Sequence, residues 1–521
     1  MNRERLFGVN DHARPPFGRD PRTIVLAVLA VGALVRFIIA ATIGYGVDES
    51  YAVAIARQFS WSYFDHPPLL FWIIGGWARV VGSEREVVLR LPIALMFVGT
   101  TWLTYRLAAR FFGENAGAIA ALLLNVSAEF SLSAGGWLLP DAPLFLAMLV
   151  SVTLIADILF DDLPRAASVR WMLAGAAAGA AMLSKYHGIF VLGGTFLFLL
   201  TSPTHRKWLA HPGPYLGAIV AFLIFSPVLY WNAQHHWVSF LFQGGRAGGR
   251  GGLHPDAMLT NIAGQVVWAL PWVWIPLVGS IWGALRAGRA HAARWFFLCL
   301  SVPIVAVFTL IALRGDVGLP HWTAPGYLFA FPLMGAAVAG RLERGAPYAR
   351  PWIVASVYGY LSLIVVLWSA VATGWVGRVF GSSLAKAADS QTADLLDWHP
   401  VVKELRVRRL LPVGSFVAAP SWIQAGKAAV ALGPHVPVLC LCADPHHFRY
   451  AVIDTEYFGA NAVILNKVKA GEDVITKFSP YFESITLEAI VPVYRQGRVA
   501  MQIGVYRARH FRKSYPTDQP R

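Results

Sequence analysis

Two adjacent carboxylates follow the first apolar run of the sequence. Asp48 and Glu49 stand between two aromatic residues, in the segment Gly44-Tyr-Gly-Val-Asp-Glu-Ser-Tyr51. A carboxylate held against a hydroxyl group can take its proton and so activate the oxygen as a nucleophile. A solvated acidic turn at the end of a helix would give the same pattern, so the pair alone leaves both interpretations open.

A second ionisable pair precedes two prolines. Asp65 and His66 are followed directly by Pro67 and Pro68. Because proline disrupts a helix interior, the two prolines predict a fixed turn that presents both side chains. A purely structural turn would explain the prolines, but it would not explain the carboxylate and the imidazole in front of them.

Other polar side chains gather where later apolar runs begin or end. They are Asp141, Lys185, Tyr186, His235, His236, Gln243, Arg246, Arg250 and His321. A lysine at a helix end often does no more than extend its ammonium group to water. The glycine-rich segment 244–252 with its two arginines could close over a phosphate through charge-assisted hydrogen bonds, or it could be a flexible connector.

The composition indicates what kind of chain carries these residues. Apolar residues make up 56% of the 521 positions, charged residues make up 14%, and the mean hydropathy is +0.52. A soluble protein carries roughly 25% charged residues, so a soluble enzyme, a disordered chain and a coiled coil are disfavoured against a polytopic membrane protein. The net charge is +15, and the basic residues lie in short clusters between apolar runs. This is the pattern expected when Lys and Arg mark the cytosolic loops of a membrane protein. No nucleic-acid partner is therefore expected.

About 11 apolar runs meet the length that a membrane-spanning helix requires. They cover residues 23–43, 91–109, 115–133, 138–159, 171–184, 188–202, 213–231, 260–284, 295–313, 322–340 and 351–373. The Lys/Arg bias of alternate loops predicts a cytosolic N-terminus, and an odd number of spans then places the C-terminus outside. On this topology the candidate residues lie on the outer face of a bacterial inner (plasma) membrane.

The pattern predicts a cytosolic tail over residues 1–22, a transmembrane domain over 23–376 and an extracytoplasmic domain over 377–521. Within the transmembrane domain, residues 44–90 are too polar to span the membrane as a whole but contain apolar stretches. This first outer loop is therefore expected to form amphipathic helices that lie along the membrane surface.

The predicted C-terminal domain has a different periodicity from the rest of the chain. Short β-rich runs alternate there with helical stretches, which predicts a small α/β domain with a partly parallel sheet. We expect it to cover the candidate site or to recognise a substrate that accepts a transferred group, without taking part in bond making. Its strongest candidate for a catalytic cluster is Asp444 with His446 and His447. We expect these residues to lie in a solvated loop.

The motifs resemble a family of membrane enzymes, the glycosyltransferases of the GT-C type. The similarity is greatest to the protein mannosyltransferase and aminoarabinose (lipid A) transferase group. It rests on Asp48-Glu-Ser-Tyr-Ala-Val-Ala-Ile-Ala-Arg57, His66-Pro-Pro-Leu-Leu-Phe-Trp72, Arg90-Leu-Pro92 and Tyr105-Arg-Leu-Ala-Ala-Arg-Phe-Phe-Gly113. Asp141 and Lys185-Tyr186 follow in the expected order. The resemblance implies a helical GT-C-like membrane domain.

Enzymes of this type take a sugar from a polyprenyl phosphate and pass it to an acceptor on the outer face. The resemblance implies that Asp48 is the catalytic base and that Glu49 orients it or the acceptor. The residues implied in binding the donor phosphate or sugar are His66, Asp141, Lys185, Tyr186, Arg246 and His321. The implied partners are membrane lipids, the lipid-linked donor, and a cell-envelope glycolipid, polysaccharide or protein as acceptor.

One departure from the family pattern concerns the proline turn. The aminoarabinose transferases have an acid and then a lysine before the two prolines, whereas this chain has Asp65 and His66. His66 can still donate to a phosphate, but its charge depends on pH. Asp65 and His66 could instead ligate a divalent metal ion, although no cofactor is firmly implied.

Two other functional classes stay open at this point. A transporter or flippase of a lipid-linked or small polar substrate would place polar residues near the middle of the membrane and show paired interrupted helices. Here the polar residues gather at span ends on one face, which favours the enzyme. A non-catalytic assembly subunit would tolerate replacement of Asp48 and Lys185 without loss of activity.

Overall fold

A computed structural model of the protein describes residues 20–161, 166–248, 252–315, 318–380, 391–468 and 471–517. Residues 1–19 of the predicted cytosolic tail, and Arg250, lie outside these ranges. The helices before residue 381 are α1 (Pro21–Thr42), α2 (Val47–Ala56), α3 (Leu69–Val81), α4 (Glu86–Phe112), α5 (Glu114–Asn125), α6 (Asp141–Phe160), α7 (Ala167–Ser184), α8 (Ile189–Thr201), α9 (Gly213–Gln234), α10 (Val238–Gly248), α11 (Pro255–Ala269), α12 (Pro271–Ala287), α13 (Ala292–Ile311), α14 (Ala324–Leu328), α15 (Phe331–Glu343), α16 (Ala349–Thr373) and α17 (Trp375–Phe380).

Six helices in the described ranges are long and apolar enough to cross a membrane, or up to eight if each of two bent helix pairs is one span. The six are α1, α4, α6, α9, α13 with its short extension, and α16. In the most apolar window of α6, 61% of the residues are buried inside the protein, against 17% in α1. Thus α6 lies near the centre of the helical bundle and α1 near its edge. The expected count of about 11 spans stays a prediction.

Two apolar runs that the sequence predicts as single spans are bent in the structure. The run 260–284 consists of α11 and α12, whose axes meet at 111°. Leu270 separates them with a left-handed φ of +72°, and Pro271 begins α12. Proline has no backbone N–H to continue a preceding helix, but its fixed φ suits the start of a new one. The run 322–340 is bent by 63° between residues 320–328 and α15.

The candidate residues lie at one end of the helical bundle. Arg90 near the start of α4 donates to the carbonyl oxygen of Ile43 at the end of α1. Lys185 directly after α7 donates to Asp141 at the start of α6. The end of α1 therefore lies beside the start of α4, and the end of α7 lies beside the start of α6. The tertiary structure thus brings together segments that are far apart in sequence.

Beyond residue 398 the chain forms a mixed α/β domain. Its elements are α18 (His399–Val407), β1 (Phe416–Ala419), α19 (Trp422–Leu432), β2 (Val438–Cys440), α20 (Phe448–Ala451), β3 (Ala462–Lys467), α21 (Val474–Phe478), β4 (Phe482–Arg495) and β5 (Arg498–Phe511). The five strands have the order β2-β1-β3-β5-β4. Strand β1 pairs in parallel with β2 and β3, and the other pairs are antiparallel. The loops after β1 and β2 leave the sheet at one edge, the carboxyl edge of its parallel part.

This α/β domain shares a hydrophobic core with the segment 44–90. Tyr51 and Ile55 of α2 belong to the same buried cluster as Val417 of β1 and Ala425 of α19. A Cβ atom added to Gly426 in α19 would lie 2.8 Å from the backbone nitrogen of Tyr51. Only glycine therefore permits this close approach of the two helices. The packing joins the C-terminal domain to the helix that carries Asp48.

We expect Gly426→Ala to weaken the docking of the C-terminal domain. The added methyl group overlaps backbone atoms of α2, and overpacking of this kind costs about 1–3 kcal/mol. The detergent-solubilised variant should have a lower melting temperature, and protease should cut it faster after residue 377. Gly279→Ala in α12 is the matched control, because nothing lies within 4 Å of the added Cβ atom there. Equal melting temperatures for both variants would contradict the docking described here.

Candidate active site

The carboxylate of Glu49 is fully used by a buried hydrogen-bond network. It accepts from Nε and Nη2 of Arg90 at 2.8 and 2.6 Å, and from the backbone N–H groups of Gly46 and Leu138 at 2.8 and 3.1 Å. The Arg90 and Glu49 side chains are only 2% and 3% exposed. Arg90 also donates to the carbonyl oxygens of Ile43 and Gly44. These contacts fix the start of α2 against α1 and α4, and they favour a positioning role for Glu49.

Asp48, one residue earlier, is exposed, and its carboxylate has no hydrogen bond or ion pair with any described residue. It lies in the first turn of α2, where backbone N–H groups favour a negative charge. Desolvation by the surrounding protein, together with the negative charges of Asp65 and Glu49, raises the pKa of Asp48 above 3.8. A raised pKa and an open carboxylate suit a general base that works nearer neutral pH.

The proline turn holds Asp65 beside α2. Oδ1 of Asp65 accepts a 2.7 Å hydrogen bond from the hydroxyl of Tyr51, which in turn accepts from the backbone N–H of His447 at 3.1 Å. The side-chain amide of Gln243 donates to the carbonyl oxygen of Asp65 at 2.7 Å. The turn is thus tied to α2, to α10 and to the C-terminal domain, and Asp65 is buried among them.

A cluster of cationic and histidine side chains lies beside the Asp65–His66 turn. Nζ of Lys185 donates to Oδ1 of Asp141 at 2.9 Å, and both residues are buried. His66 and His321 lie within electrostatic reach of Lys185, and Arg246 lies within reach of both histidines. Burial lowers the pKa of His66, against the opposing effect of Asp65. The structure therefore brings together five of the six residues predicted to bind the donor.

Arg246 contacts aromatic rings and forms no ion pair with any residue that the structure describes. Its guanidinium carbon lies 5.4 Å from the ring centre of Phe242 and 5.1 Å from that of Trp322. Such cation–π contacts orient a guanidinium group and leave its N–H donors available. Tyr186, the sixth predicted donor residue, packs its ring against Phe225 and Phe240.

The C-terminal domain adds residues that sequence reasoning did not place in the site. His447 is only 4% exposed, and its Nδ1 accepts a hydrogen bond from the backbone N–H of Phe64. The expectation of a solvated loop is therefore wrong for this residue. His446 next to it contacts Tyr51 and Phe64 edge-on. The paired histidines were the available signal, but their partners lie almost 400 positions earlier in the sequence.

Asp65 and His66, the two residues predicted as possible metal ligands, have no third ligand among the described residues. Oδ2 of Asp65 and Nε2 of His66 are 3.9 Å apart. Within the described ranges, no group of three or more His, Cys, Asp or Glu side chains is arranged to hold a metal ion. Asp65 instead accepts from Tyr51. The two-residue metal site stays a prediction, and no step below depends on it.

The sequence is similar to those of known glycosyltransferases. Residues 65–231 match the family model described as dolichyl-phosphate-mannose-protein mannosyltransferase. The lipid A galacturonosyltransferase RgtD of Rhizobium johnstonii is 25% identical over 296 residues, which are 54% of this chain and 58% of RgtD. The chain thus matches less than two thirds of the length of that relative.

Solved structures extend the similarity to nearly the whole chain. ArnT from Cupriavidus metallidurans, in a crystal structure with undecaprenyl phosphate, superposes with a TM-score of 0.63 at 17% identity, over 92% of this chain and 97% of ArnT. The chain has the GT-C fold. An oligosaccharyltransferase from Archaeoglobus fulgidus gives a TM-score of 0.52 at 13% identity, over 84% of this chain and 68% of that one. The resemblance to GT-C glycosyltransferases predicted from the sequence is confirmed.

Proposed function

We propose that this GT-C protein transfers a sugar from a polyprenyl-phosphate-linked donor to a hydroxyl or phosphate group of an acceptor. One observation supports this most directly: the Asp65–His66 turn lies within electrostatic reach of both the open Asp48 carboxylate and the buried Lys185–Asp141 pair. Glycosyl transfer from a lipid phosphate requires both a proton acceptor and positive charge near the leaving group.

The proposed reaction is a displacement at the anomeric carbon. Asp48 takes the proton of the acceptor hydroxyl, and the acceptor oxygen forms the new glycosidic bond. The bond between the anomeric carbon and the phosphate oxygen breaks, and the lipid phosphate leaves with the electron pair. Lys185 and Arg246 would stabilise the charge that grows on that oxygen, because preorganised cations are most effective in a site that excludes water.

The proposed site faces the outside of the inner membrane. Loops at the opposite end of the bundle carry basic clusters, such as Arg286, Arg289 and Arg294 before and within the start of α13. Arg341 and Arg344 lie at that same end, at the close of α15. An excess of Lys and Arg marks cytosolic loops, so the end that carries Asp48 and the α/β domain is assigned to the outer face.

The donor and the acceptor belong to the chemistry of the cell envelope in this proposal. ArnT was crystallised with undecaprenyl phosphate, and RgtD acts on lipid A as a galacturonosyltransferase. We therefore rank a lipid A-type glycolipid first among the acceptors, ahead of a polysaccharide or a protein. The proposed donor sugar is a hexose or pentose derivative, whichever of these acceptors is used.

The direct test is sugar transfer in membranes that contain the protein. Radiolabelled polyprenyl-phosphate-linked galacturonic acid, aminoarabinose and mannose would be offered separately with a lipid A-type glycolipid. Formation of a labelled acceptor with one donor, and its loss in Asp48→Asn membranes, supports the proposal. Absence of transfer from all three donors to the glycolipid, to envelope polysaccharide and to membrane protein would contradict it.

A transporter is the second candidate, and one observation favours it. The two bent helix pairs resemble the interrupted helices that line transporter binding sites. The same membranes distinguish the two functions, because a transporter moves labelled substrate between vesicle compartments without forming a glycosidic bond. Label that crosses the membrane without being attached to an acceptor would favour transport.

Lys185→Ala should weaken donor binding and turnover together. The lipid phosphate is charged in the ground state and gains charge in the transition state, so removing its cation affects both. We expect undecaprenyl phosphate to bind at least 10-fold more weakly, since a charge-assisted hydrogen bond contributes about 1.5–3 kcal/mol. Lys185→Arg should recover part of the affinity. The control is Lys403→Ala, on the exposed side of α18; equal affinity of all variants would remove Lys185 from the donor site.

A further inference from the structure

The loop after β2 places His446 at the site in an unusual backbone conformation. Its φ angle is +52°, in the left-handed region that residues with a Cβ atom rarely adopt. Such strain persists only when the surrounding structure holds it, and it is often found at functional sites. The loop leaves the carboxyl edge of the parallel strands, where α/β sheets commonly bind ligands.

The imidazole of His446 is held from several sides. Its Nδ1 lies 3.0 Å from Oδ1 of Asp444. Its ring stacks on that of Trp422 at the start of α19, with ring centres 4.6 Å apart and planes 29° apart. The rings of Tyr51 and Phe242 complete the enclosure at 5.8 Å each. Its Nε2 has no hydrogen bond with a described residue, and the side chain is 14% exposed.

The charges around this histidine are mostly negative. Asp48 and Asp65 lie within electrostatic reach of it, and Asp444 forms the ion pair. Other titratable groups near this region are Glu49, Tyr51, His447, Cys442 and Arg246. Burial alone would lower the pKa of His446, but Asp444 and Asp65 together raise it above 6.5. The side chain therefore favours the cationic form.

We propose that the C-terminal domain completes the catalytic chamber by placing His446, as a cationic positioning residue, beside the Asp48 carboxylate. Asp48, Glu49 and Asp65 carry like charges close together, which disfavours the ionised form that a base requires. The cation of His446 offsets this repulsion, so Asp48 is ionised and correctly oriented when the acceptor hydroxyl arrives. This inference rests on the proposed function, and it assigns the α/β domain a part in the reaction.

His446→Phe keeps an aromatic ring for stacking on Trp422 and removes the charge. We expect the acidic limb of the pH–rate profile to move about one unit to higher pH, so transfer at pH values on that limb should fall on the order of 10-fold. Transfer should recover towards wild type near pH ~9, where Asp48 ionises without help. His446→Lys, which retains a cation, should keep more activity at neutral pH than His446→Phe.

The chain contains a closely matched control in His510. This residue has a left-handed φ of +49° and lies 2.9 Å from Glu483, but it stands at the far end of β5 and its side chain is exposed. His510→Phe should transfer as wild type does at every pH. Undecaprenyl phosphate binding and the melting temperature should be unchanged in both histidine variants.

The outcomes separate this inference from the proposed function. If wild type and His446→Phe have the same pH profile, or if His446→Phe loses activity equally at every pH, the inference is overturned. A large fall in melting temperature with no recovery at high pH would likewise assign His446 a structural role. If wild type shows no transfer from any of the three lipid-linked sugars, the proposed function itself fails.

Discussion

Asp48→Asn should lower sugar transfer by ~10²–10⁴-fold, the range typical of losing general acid–base catalysis. The amide has nearly the size of the carboxylate but cannot accept the proton of the acceptor hydroxyl. Because the Asp48 side chain has no hydrogen bond or ion pair with a described residue, the variant should fold and express normally. Initial rates with a saturating lipid-linked donor measure the effect.

The matched control is Asp256→Asn, which changes an exposed carboxylate in the first turn of α11. It should leave the rate unchanged. Undecaprenyl phosphate should bind equally to wild type and to both variants, since Asp48 is not assigned to the donor phosphate. Near-wild-type transfer by well-folded Asp48→Asn protein would show that another group is the base.

The same residue sets the pH dependence. Only the ionised carboxylate accepts a proton, so transfer should decline as pH falls through the pKa of Asp48. Desolvation and the charges of Asp65 and Glu49 raise that pKa above 3.8, so the decline should begin at a higher pH than for an ordinary aspartate. Wild-type rates measured from pH 4 to 9 check this. The residual rate of Asp48→Asn should not show this decline at low pH.

Arg90→Ala should damage folding more than any other single change discussed here. It leaves the Glu49 carboxylate buried without its ion-pair partner, and breaking a buried pair in this way costs about 3–5 kcal/mol. It also removes the donors to the carbonyl oxygens of Ile43 and Gly44. We expect a much lower melting temperature in detergent and little protein in the membrane fraction.

A double variant tests whether the charge is the cause. Glu49→Gln combined with Arg90→Gln removes both charges, so no uncompensated carboxylate is buried, and part of the lost stability should return. Arg57→Ala is a useful comparison, because Arg57 pairs with Glu84 in a more exposed place. If Arg90→Ala and Arg57→Ala lowered the melting temperature equally, the buried pair would not have the importance assigned to it.

Much of the architecture follows from local sequence properties. Long apolar runs predict helices such as α6 and α16, because a membrane-spanning segment must be apolar and must satisfy its own backbone hydrogen bonds. The β-rich runs predicted in the C-terminal domain likewise correspond to strands, such as those that contain Val417 and Ile464. The proline turn and the resemblance to GT-C glycosyltransferases identified Asp48, His66 and Lys185 as candidate site residues. Their catalytic and binding roles remain predictions.

Tertiary structure decided which of these groups are free and which are engaged. Asp48 and Glu49 are neighbours in sequence, yet Glu49 is bound by Arg90, 41 positions away, while Asp48 is open. His446 reaches Tyr51 and Asp65 only because α19 docks on α2 at Gly426. Hydropathy and helix signals are local, so the sequence by itself determined the membrane class and most elements. Hydrogen bonds and ion pairs between distant segments depend on packing, so only the tertiary structure assigned the partners of these side chains.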